Sequence, residues 1–258
     1  MSRILILGGT TEARELAERL ATRADLEIVV SLAGRTQAPA PHPVPIRSGG
    51  FGGAMGLAEY LRRERIDALV DATHPYATAI SANAGTAARH AGVPLIALRR
   101  PAWAAIAGDR WSEANDVTAA VRALGERPRR AFVTLGRSEL APLTNAPQHF
   151  YLIRSVDPVE PVPPLPRVSY LIDRGPFREA DERALMRAHA IDVVIAKNSG
   201  GTASYGKIAA ARALSVEVIM LCRPASPEGS AVATVDEIIV WLDHAIASAT
   251  ARGMARGV

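Results

Sequence analysis

The sequence has little that would cross-link the chain, bind a metal or cross a membrane. Among its 258 residues Cys222 is the only cysteine, which excludes an intrachain disulfide and a thiolate metal cluster. The six histidines form no HxxxH or HExxH pair, so we expect no metal site. No apolar run reaches the ~18 residues of a membrane span, and the opening MSRILILGGT lacks the cleavage site of a signal peptide. We therefore expect a cytoplasmic protein without a membrane segment.

Aromatic residues are also scarce, at 5% of the chain, whereas the net charge is +4. A nucleic-acid-binding protein is expected to show a basic stripe interleaved with stacking aromatics, but here the basic residues are spread along the chain. A polyanionic small molecule explains the positive charge, as does a slightly basic surface with no ligand role. We expect a small-molecule ligand and no nucleic-acid partner.

Apolar runs that alternate with amphipathic helical segments predict an α/β protein. RILILG (3–8) is typical of a strand buried on both faces of a parallel sheet, and the following TEARELAERLA carries its apolar residues on one helical face. The other predicted strands are 27–34, 45–48, 67–75 with its loop, 94–99, 131–135, 150–154, 168–172, 192–197 and 216–221. This pattern predicts two Rossmann-like, three-layer domains with mainly parallel sheets and a cleft between them.

The domain boundaries are predicted from a change of composition through RPAWAAIAGDRWSEA. We place a nucleotide-binding domain at 1–98, a connector at 99–115, a second domain that contributes the substrate cleft at 116–247, and a frayed tail at 248–258. Asp116 is a favourable N-cap, and Thr234 with Glu237 forms a capping-box pattern. Since two domains that enclose their own site need no partner, we expect a monomer.

GGTTEA (8–13) joins the first predicted strand to the first helix. Two glycines would let the backbone approach a pyrophosphate, which a helix N-terminus attracts, and two threonines would add hydroxyl donors. Ala13 stands where a GxGxxG motif has its last glycine, so the motif is incomplete. The alternative is a plain turn that uses glycine for its shape. The strand–turn–helix context predicts a nucleotide site that includes Gly8, Gly9, Thr10, Thr11 and Glu12.

The end of the second predicted strand, SLAGR (31–35), favours one dinucleotide over another. NAD-binding domains carry an acidic residue here that accepts from the ribose 2′-hydroxyl. Ser31, Gly34 and Arg35 occupy the region instead, and hydroxyl and guanidinium groups suit a 2′-phosphate that a carboxylate would repel. We therefore expect NADP(H), with Arg35 as a solvated surface charge the alternative.

Two further loops complete the predicted cofactor site. RSGGFGG (47–53) leaves the third strand on the same side of the sheet, where its backbone would lie against the adenosine and Arg47 would contact the 2′-phosphate; a flexible hinge is the alternative. DATHPYA (71–77) follows the fourth strand, nearest the nicotinamide half. The residues assigned to the cofactor from these loops are Arg47, Ser48, Gly49, Gly50, Phe51, Thr73, His74, Pro75 and Tyr76.

Several catalytic motifs are missing. No tyrosine is followed four residues later by a lysine, which disfavours a short-chain dehydrogenase, and neither a GxSxG elbow nor a P-loop occurs. The absence of an acid–base dyad is compatible with hydride transfer, because the cofactor performs that chemistry and the protein mainly aligns the reacting carbons.

Taken together, the motifs resemble the precorrin-6A reductases of cobalamin biosynthesis. The matching stretches are ILGGTTEA, SLAGR, RSGGFGG, DATHPYA with SANA, VTLGRSEL, DRGPF, and AKNSGGTASYGKIAAA leading to VIMLCRP, which run from residue 4 to about 224. GGFGG with DATHPYA is the specific pair. The resemblance implies an enzyme that reduces one double bond of the precorrin-6A macrocycle with NADPH and gives precorrin-6B.

The macrocycle that the resemblance implies carries many carboxylates and would need cationic or amide-rich walls. The strand ends of the second domain supply candidates, although any one of these charges is alternatively a surface residue. SGGT would bind a carboxylate through backbone N–H groups at a helix N-terminus. The predicted substrate-binding residues are Arg137, Arg154, Arg174, Lys197, Ser199, Gly200, Gly201 and Lys207.

The proton that must follow hydride addition has no donor identified by the sequence. Tyr76, His74 and Asp173 are candidates, but solvent or a substrate carboxyl group would serve. We hypothesise that no single side chain is indispensable for proton delivery.

Three other functions stay open at this point. One is reduction of the cobalt-containing counterpart of precorrin-6A, which the sequence does not separate from the metal-free substrate. Another is a non-catalytic NADP(H)-binding sensor, which would leave the basic strand ends of the second domain unexplained. The third is a reductase of another anionic substrate, such as a sugar nucleotide.

Overall fold

The computed structural model describes residues 1–34, 41–225 and 229–255, with side chains up to residue 247. The chain divides into two compact units, which we call unit 1 (Met1–Pro101 with Pro224–Val258) and unit 2 (Ala102–Arg223). Each unit holds a six-stranded sheet in which every strand pair is parallel. The predicted α/β class with mainly parallel sheets is confirmed.

The sheet of unit 1 has its first strand, Ser2–Leu7 (β1), in an interior position. The residues of β1 from Ile4 to Leu7 are buried, as expected for a strand covered on both faces. The other strands of this sheet are Leu26–Leu32 (β2), Ile46–Ser48 (β3), Ala68–Asp71 (β4), Leu95–Leu98 (β5) and Ala231–Val232 (β12). The order β12-β5-β4-β1-β2-β3 places a switch of direction between β1 and β4, which is where ligands bind in such sheets.

Helices cover both faces of the unit 1 sheet. Because side chains alternate along a strand, Ile4 and Ile6 of β1 pack with one pair of helices, α1 and α7, and Leu5 and Leu7 pack with the other pair, α2 and α3. The helix bounds are Thr11–Leu20 (α1), Gly53–Arg63 (α2), Thr78–Ala91 (α3) and Val235–Ala255 (α7).

Unit 2 repeats this plan with a second parallel sheet. Its strands are Trp111–Ala114 (β6), Arg130–Thr134 (β7), Phe150–Ser155 (β8), Val168–Ile172 (β9), Val193–Lys197 (β10) and Glu217–Leu221 (β11), in the order β6-β11-β10-β7-β8-β9. Its helices are Val117–Ala123 (α4), Glu179–Ala188 (α5) and Gly206–Ala213 (α6), with short 3-10 helices at Arg137–Glu139, Ala141–Asn145 and Thr202–Ser204.

The two predicted helix starts carry the expected caps. Asp116 accepts a hydrogen bond from the N–H of Ala119 at 2.7 Å at the start of α4. Before α7, the Thr234 N–H donates to the Glu237 carboxylate at 2.9 Å, and the Glu237 N–H donates to the Thr234 hydroxyl at 3.3 Å.

The two units divide the chain differently from the predicted boundaries. The predicted connector at 99–115 contains β6, which pairs with β11 in the sheet of unit 2. The predicted second domain, 116–247, includes β12 and the start of α7, which belong to unit 1: Ala231 pairs with Ala97, and Ile238 lies in the core with Ile4. An apolar helical face does not specify which sheet it covers, so the sequence pattern was consistent with either unit.

The C-terminal segment also differs from expectation. Helix α7 continues to Ala255, so the tail predicted to fray from 248 is helical to that residue, and 256–258 lie outside the described ranges. None of the helices in the described ranges has both the length and the hydropathy of a membrane span.

Candidate active site

The turn after β1 is built for a close approach between backbone segments. A Cβ atom on Gly8 would lie 2.9 Å from Cγ1 of Val30 on β2, so only glycine fits there without a shift. Gly9 adopts a φ of +110°, which favours glycine. These two residues carry the chain from the strand to the N-terminus of α1.

Thr10 links this turn to the neighbouring strand end. Its hydroxyl donates to the Ala72 carbonyl at 2.8 Å and accepts from the N–H of Ala13 at 3.1 Å, so Thr10 is the N-cap of α1. The predicted role of Thr10 as a hydroxyl donor to a ligand differs from this geometry, because its proton is already donated within the protein. Thr11, the next predicted donor, is exposed.

Glu12 forms an ion pair with Arg100, which lies two residues beyond the end of β5. Both side chains are largely buried, with exposures of 24% for Glu12 and 14% for Arg100. They line a small pocket at the ends of β1, β4 and β5, together with Thr10, Ala72, Thr73, Pro75 and Leu98. The sequence reasoning placed Arg100 in the connector and missed it, although a basic residue just beyond a parallel strand was a usable signal.

A second polar cluster lies where β2 and β3 end. The Arg47 guanidinium donates to the hydroxyl of Ser31 at 3.3 Å and to the carbonyl of Gly50 at 2.7 Å, and its carbon lies 3.7 Å from the centre of the Phe51 ring. The structure therefore brings together Ser31, Arg47, Gly49, Gly50 and Phe51, whereas Ser48 is exposed. Gly34 is near this cluster, since a Cβ on it would lie 3.4 Å from the Gly49 nitrogen. Arg35 lies outside the described residues.

Three of the four glycines of RSGGFGG, Gly49, Gly52 and Gly53, adopt a positive φ. Gly52 and Gly53 have φ of +78° and +88° where α2 begins, a region that residues with a side chain rarely adopt. No atom of the described residues approaches within 4 Å of a Cβ placed on either glycine. The interpretation that the loop makes room for adenosine therefore stays a prediction.

The DATHPYA loop is held by a buried network that the sequence reasoning did not assign. Asp71 at the end of β4 accepts from the Thr73 hydroxyl at 2.6 Å and pairs with Arg99, which also donates to the Ser81 hydroxyl at 2.9 Å. The additional hydrogen bonds reduce the cost of removing both charges from water. The network joins the ends of β4 and β5 to the first turn of α3 and fixes the loop between them.

His74, Pro75 and Tyr76 follow this network. The Tyr76 N–H donates to Nδ1 of His74 at 3.3 Å, and the two rings lie 5.6 Å apart. Both side chains are half-buried, and Pro75 lines the pocket beside Glu12 and Arg100. The predicted cofactor residues of this loop therefore lie at the same strand ends as the α1 turn.

In unit 2, Arg154 at the end of β8 points into the protein. It forms a two-pronged ion pair with Glu182 of α5, with one contact at 3.0 Å, and its guanidinium carbon lies 3.5 Å from the centre of the Phe177 ring. Only 6% of Arg154 is exposed. The predicted role as a direct substrate contact differs from this geometry, because the Arg154 guanidinium is buried and paired with Glu182. A sequence pattern does not show whether a side chain at a strand end points inward or toward the solvent.

Lys207 in the first turn of α6 is also buried, with 5% exposed. Its amine donates to the Ser204 carbonyl at 2.8 Å and lies 5.4 Å from the Trp103 ring centre. Burial and, to a smaller extent, the charge of Arg154 lower the pKa of Lys207 to about 7, although Glu182 opposes the shift. Lys207 thus also differs from the predicted substrate contact, because its amine is buried and donates to the Ser204 carbonyl.

The other predicted substrate residues lie at strand ends of unit 2. Lys197 pairs with Glu139, whose carboxylate also accepts from the Gly136 N–H at 2.9 Å. The Arg137 side chain donates to the Pro158 carbonyl at 3.0 Å. The remaining members lie in the loops after β9 and β10: Arg174, Ser199, Gly200 and Gly201. Asp173, a candidate proton donor, directly follows β9 as well.

Asn198, which the sequence reasoning did not single out, anchors this part of unit 2. Its side-chain oxygen accepts from the backbone N–H of Trp103 at 2.7 Å, and its side-chain NH₂ donates to the Trp103 carbonyl at 2.9 Å. These two bonds mimic those of a neighbouring strand. They fix the backbone of Trp103, whose ring lies next to the Lys207 amine. That the strand ends of both units line one cleft stays a prediction.

Comparison with known proteins gives matches over nearly the whole chain. The family model described as "Precorrin-6x reductase CbiJ/CobK" matches residues 3–243. A precorrin-6A reductase of Sinorhizobium sp is 55% identical over 96% of this chain and 95% of its own, and that of Rhodobacter capsulatus is 47% identical over 98% and 100%. A cobalt-precorrin-6A reductase of Priestia megaterium is 26% identical over 96% and 99%.

A solved structure shares the whole fold. The structure titled "CobK precorrin-6A reductase" is 46% identical in sequence and superposes with a TM-score of 0.92, over 95% of this chain and 97% of its own. The two-unit architecture described above is therefore common to both proteins.

Proposed function

The chain belongs to the precorrin-6x reductase family CbiJ/CobK, and on that premise we propose that it reduces one double bond of the precorrin-6A macrocycle with NADPH to give precorrin-6B. The observation that carries the proposal is the 55% identity over 96% of the chain to a precorrin-6A reductase. The family assignment makes the chain a reductase of cobalamin biosynthesis; the cofactor and the product are the proposed part.

The metal-free substrate is favoured over the cobalt-containing one. Identity falls from 55% with a precorrin-6A reductase to 26% with a cobalt-precorrin-6A reductase, although both matches span nearly the full chains. This difference supports precorrin-6A, where the motifs alone left the two substrates equal.

The residues at the strand ends of unit 1 fit NADPH. The N-terminus of α1 offers backbone N–H groups and a positive dipole end for the diphosphate. Arg47 and Ser31 supply a cation and a hydroxyl for the 2′-phosphate. The described contacts of Arg47 are with a hydroxyl, carbonyls and rings, so its charge is not neutralised by a carboxylate within the described ranges.

The mechanism then rests on positioning. NADPH, when bound, supplies the hydride. The network of Asp71, Thr73 and Arg99 anchors the His74 loop beside the pocket, and Thr10 ties that loop to the α1 turn. These contacts would help to orient bound NADPH toward the substrate.

Substrate carboxylates would be bound by the strand ends of unit 2. Arg137 and Arg174 would supply cations there, Lys197 would share its amine with Glu139, and the SGG loop at 199–201 would supply backbone N–H groups. Arg154 and Lys207 would support these strand ends rather than contact the substrate, because both side chains are buried.

Proton delivery needs no dedicated residue in this proposal. His74, Tyr76 and Asp173 are each candidates, and solvent or a substrate carboxyl group serves equally. Replacing any one of them should leave turnover within about a thousandfold of the unmodified protein. A larger loss at intact NADPH affinity would identify an indispensable donor and overturn this part.

The proposal is tested by mixing the protein with NADPH and purified precorrin-6A, with NADH in parallel. Nicotinamide absorbance and the macrocycle spectrum should change together with NADPH and barely with NADH. If NADPH binds but neither signal moves, the same mixture with cobalt-precorrin-6A decides between the other substrate and a non-catalytic sensor. If only the cobalt substrate reacts, the assignment to precorrin-6A is wrong.

A further inference from the structure

Two consecutive arginines follow β5, and the structure gives them different environments. Arg99 is turned inward, where it pairs with Asp71 and donates to the Ser81 hydroxyl and to the carbonyls of Asp71 and Leu98. Arg100 is turned to the pocket at the ends of β1, β4 and β5, where it pairs with Glu12. Arg99 is thus committed to the loop network, and Arg100 is the arginine that lines the space beside α1.

Glu12 places a negative charge in the same pocket, at the N-terminus of α1. A carboxylate in the first turn of a helix interacts favourably with the helix dipole. The same negative charge opposes an anionic group that approaches that helix end, because two like charges in a partly buried pocket repel each other strongly. Without Arg100, the N-terminus of α1 would be a poor site for a diphosphate.

We propose that Arg100 is the diphosphate-binding residue of the nucleotide site and that Glu12 limits how tightly the site holds the dinucleotide. This inference rests on the proposed function, since it assigns residues to the cofactor named there. Arg100 would share its planar donors between the Glu12 carboxylate and a phosphate oxygen, which a guanidinium can do and an ammonium does less well.

Arg100 and Arg47 would then recognise different parts of one ligand. Arg47 lies at the ends of β2 and β3, beside Ser31, where the 2′-phosphate is expected. Arg100 lies at the end of β5, across β1 and β4 in the order of the sheet. Loss of Arg47 should therefore reduce the preference for NADPH over NADH, whereas loss of Arg100 should weaken both dinucleotides alike.

The experiment measures the dissociation constants of NADPH and NADH by titration calorimetry, without macrocycle, for the full chain and its variants. Arg100→Met should weaken both dinucleotides by about 10- to 100-fold, the loss expected for a charge-assisted hydrogen bond. Arg47→Met should weaken NADPH by a similar factor and NADH by less than about threefold. Arg14→Met is the matched control: it removes an exposed arginine of α1 that pairs with Glu18.

Glu12→Gln separates phosphate binding from mere support of the pocket. If Arg100 binds the diphosphate, removing the Glu12 charge should tighten both dinucleotides by about three- to tenfold. If the ion pair only supports the pocket, Glu12→Gln and Arg100→Met should weaken binding alike. The second pattern overturns the proposal, as does an Arg100→Met variant whose affinities stay within about twofold of the unmodified protein.

Folding of each variant is checked by thermal unfolding, and the Glu12→Gln, Arg100→Met double variant leaves no unpaired charge in the pocket. It should bind both dinucleotides more weakly than Glu12→Gln alone; equal binding overturns the proposal. Failure of the proposed function looks different: an unmodified protein that binds neither dinucleotide refutes both, and one that binds and reduces while Arg100 variants are unaffected refutes only this inference.

Discussion

Replacing Lys207 with methionine should change the pH dependence of stability in a defined way. The chain contains two lysines, Lys197 and Lys207, and Lys207 is buried in the first turn of α6. Methionine has a similar length and no charge, so it fills the same space without the cost of burying an ammonium group. The perturbation therefore isolates the ionisation of one amine.

The magnitude follows from the shift of the Lys207 pKa from 10.5 to about 7. Because the folded-state pKa is lower than the unfolded one, the unfolded chain binds more protons between pH 7 and 10.5, and the free energy of unfolding rises with pH in that window. Below pH 7 the penalty is complete, on the order of 5 kcal/mol, and above pH 10.5 it vanishes. Between pH 6.5 and 9.5 the change is about 3 kcal/mol.

The assay is urea unfolding of the two proteins at several pH values, followed by tryptophan fluorescence. Trp103 and Trp111 lie in unit 2 and Trp241 in unit 1, so a Trp241→Phe background restricts the signal to the unit that contains Lys207. Other titrations occur in both proteins and cancel in the difference. Tyr151, whose pKa burial raises to about 12, is one of these.

The result expected is a methionine variant that is more stable at pH 6.5, with the advantage shrinking by about 3 kcal/mol by pH 9.5. The free energies of unfolding of the Lys207→Arg and Lys207→Met variants should differ by a constant amount over this range, since arginine does not titrate there. Parallel pH curves for the unmodified protein and the methionine variant would refute the reasoning, because they would mean that the amine ionises equally in both states.

Three more changes test particular contacts. Glu182→Gln should lower the free energy of unfolding by about 3–5 kcal/mol, since it leaves the buried Arg154 charge unpaired. A urea double-mutant cycle with Arg154→Met measures the coupling between the two side chains. If the stability losses of the two single variants simply add in the double variant, the ion pair contributes nothing. Gly206→Ala should lower the melting temperature, although alanine favours helices, because its Cβ would lie 2.3 Å from the Phe177 carbonyl oxygen; an unchanged or raised temperature would contradict this contact. Thr10→Val should cost about 1–2 kcal/mol by chemical denaturation through loss of the α1 cap and of the bond to the end of β4; Thr10→Ser, which keeps both bonds, should restore most of it.

Much of the fold was readable from the sequence because its signals are local. Continuous apolar runs predicted the buried strands β1, β7 and β10, and the caps at Asp116 and Thr234 were confirmed. Such signals act between residues a few positions apart, so they survive in the sequence whatever the rest of the chain does. The rule that ligands bind at the carboxyl ends of parallel strands then led to the loops that we predict to carry the chemistry.

The tertiary structure decided which sheet each element joins. β6 was predicted as part of a connector, and α7 was assigned to the second domain, yet β6 pairs with β11 and α7 packs in the core of unit 1. Strand pairing and helix packing depend on contacts far apart in the chain. A two-residue strand such as β12 has no periodicity from which to predict it.

The sequence by itself determined the fold class, the place of the predicted nucleotide-binding loops at the strand ends, and the resemblance to a reductase family. Only the tertiary structure decided which carboxylate each arginine meets: Arg154 pairs with Glu182, Arg99 with Asp71, and Arg100 with Glu12 across 88 positions of sequence. Residue type fixes what a side chain can do, but its partners fix whether the charge is available. Those partners are assembled by the sheet, from segments that the sequence keeps far apart.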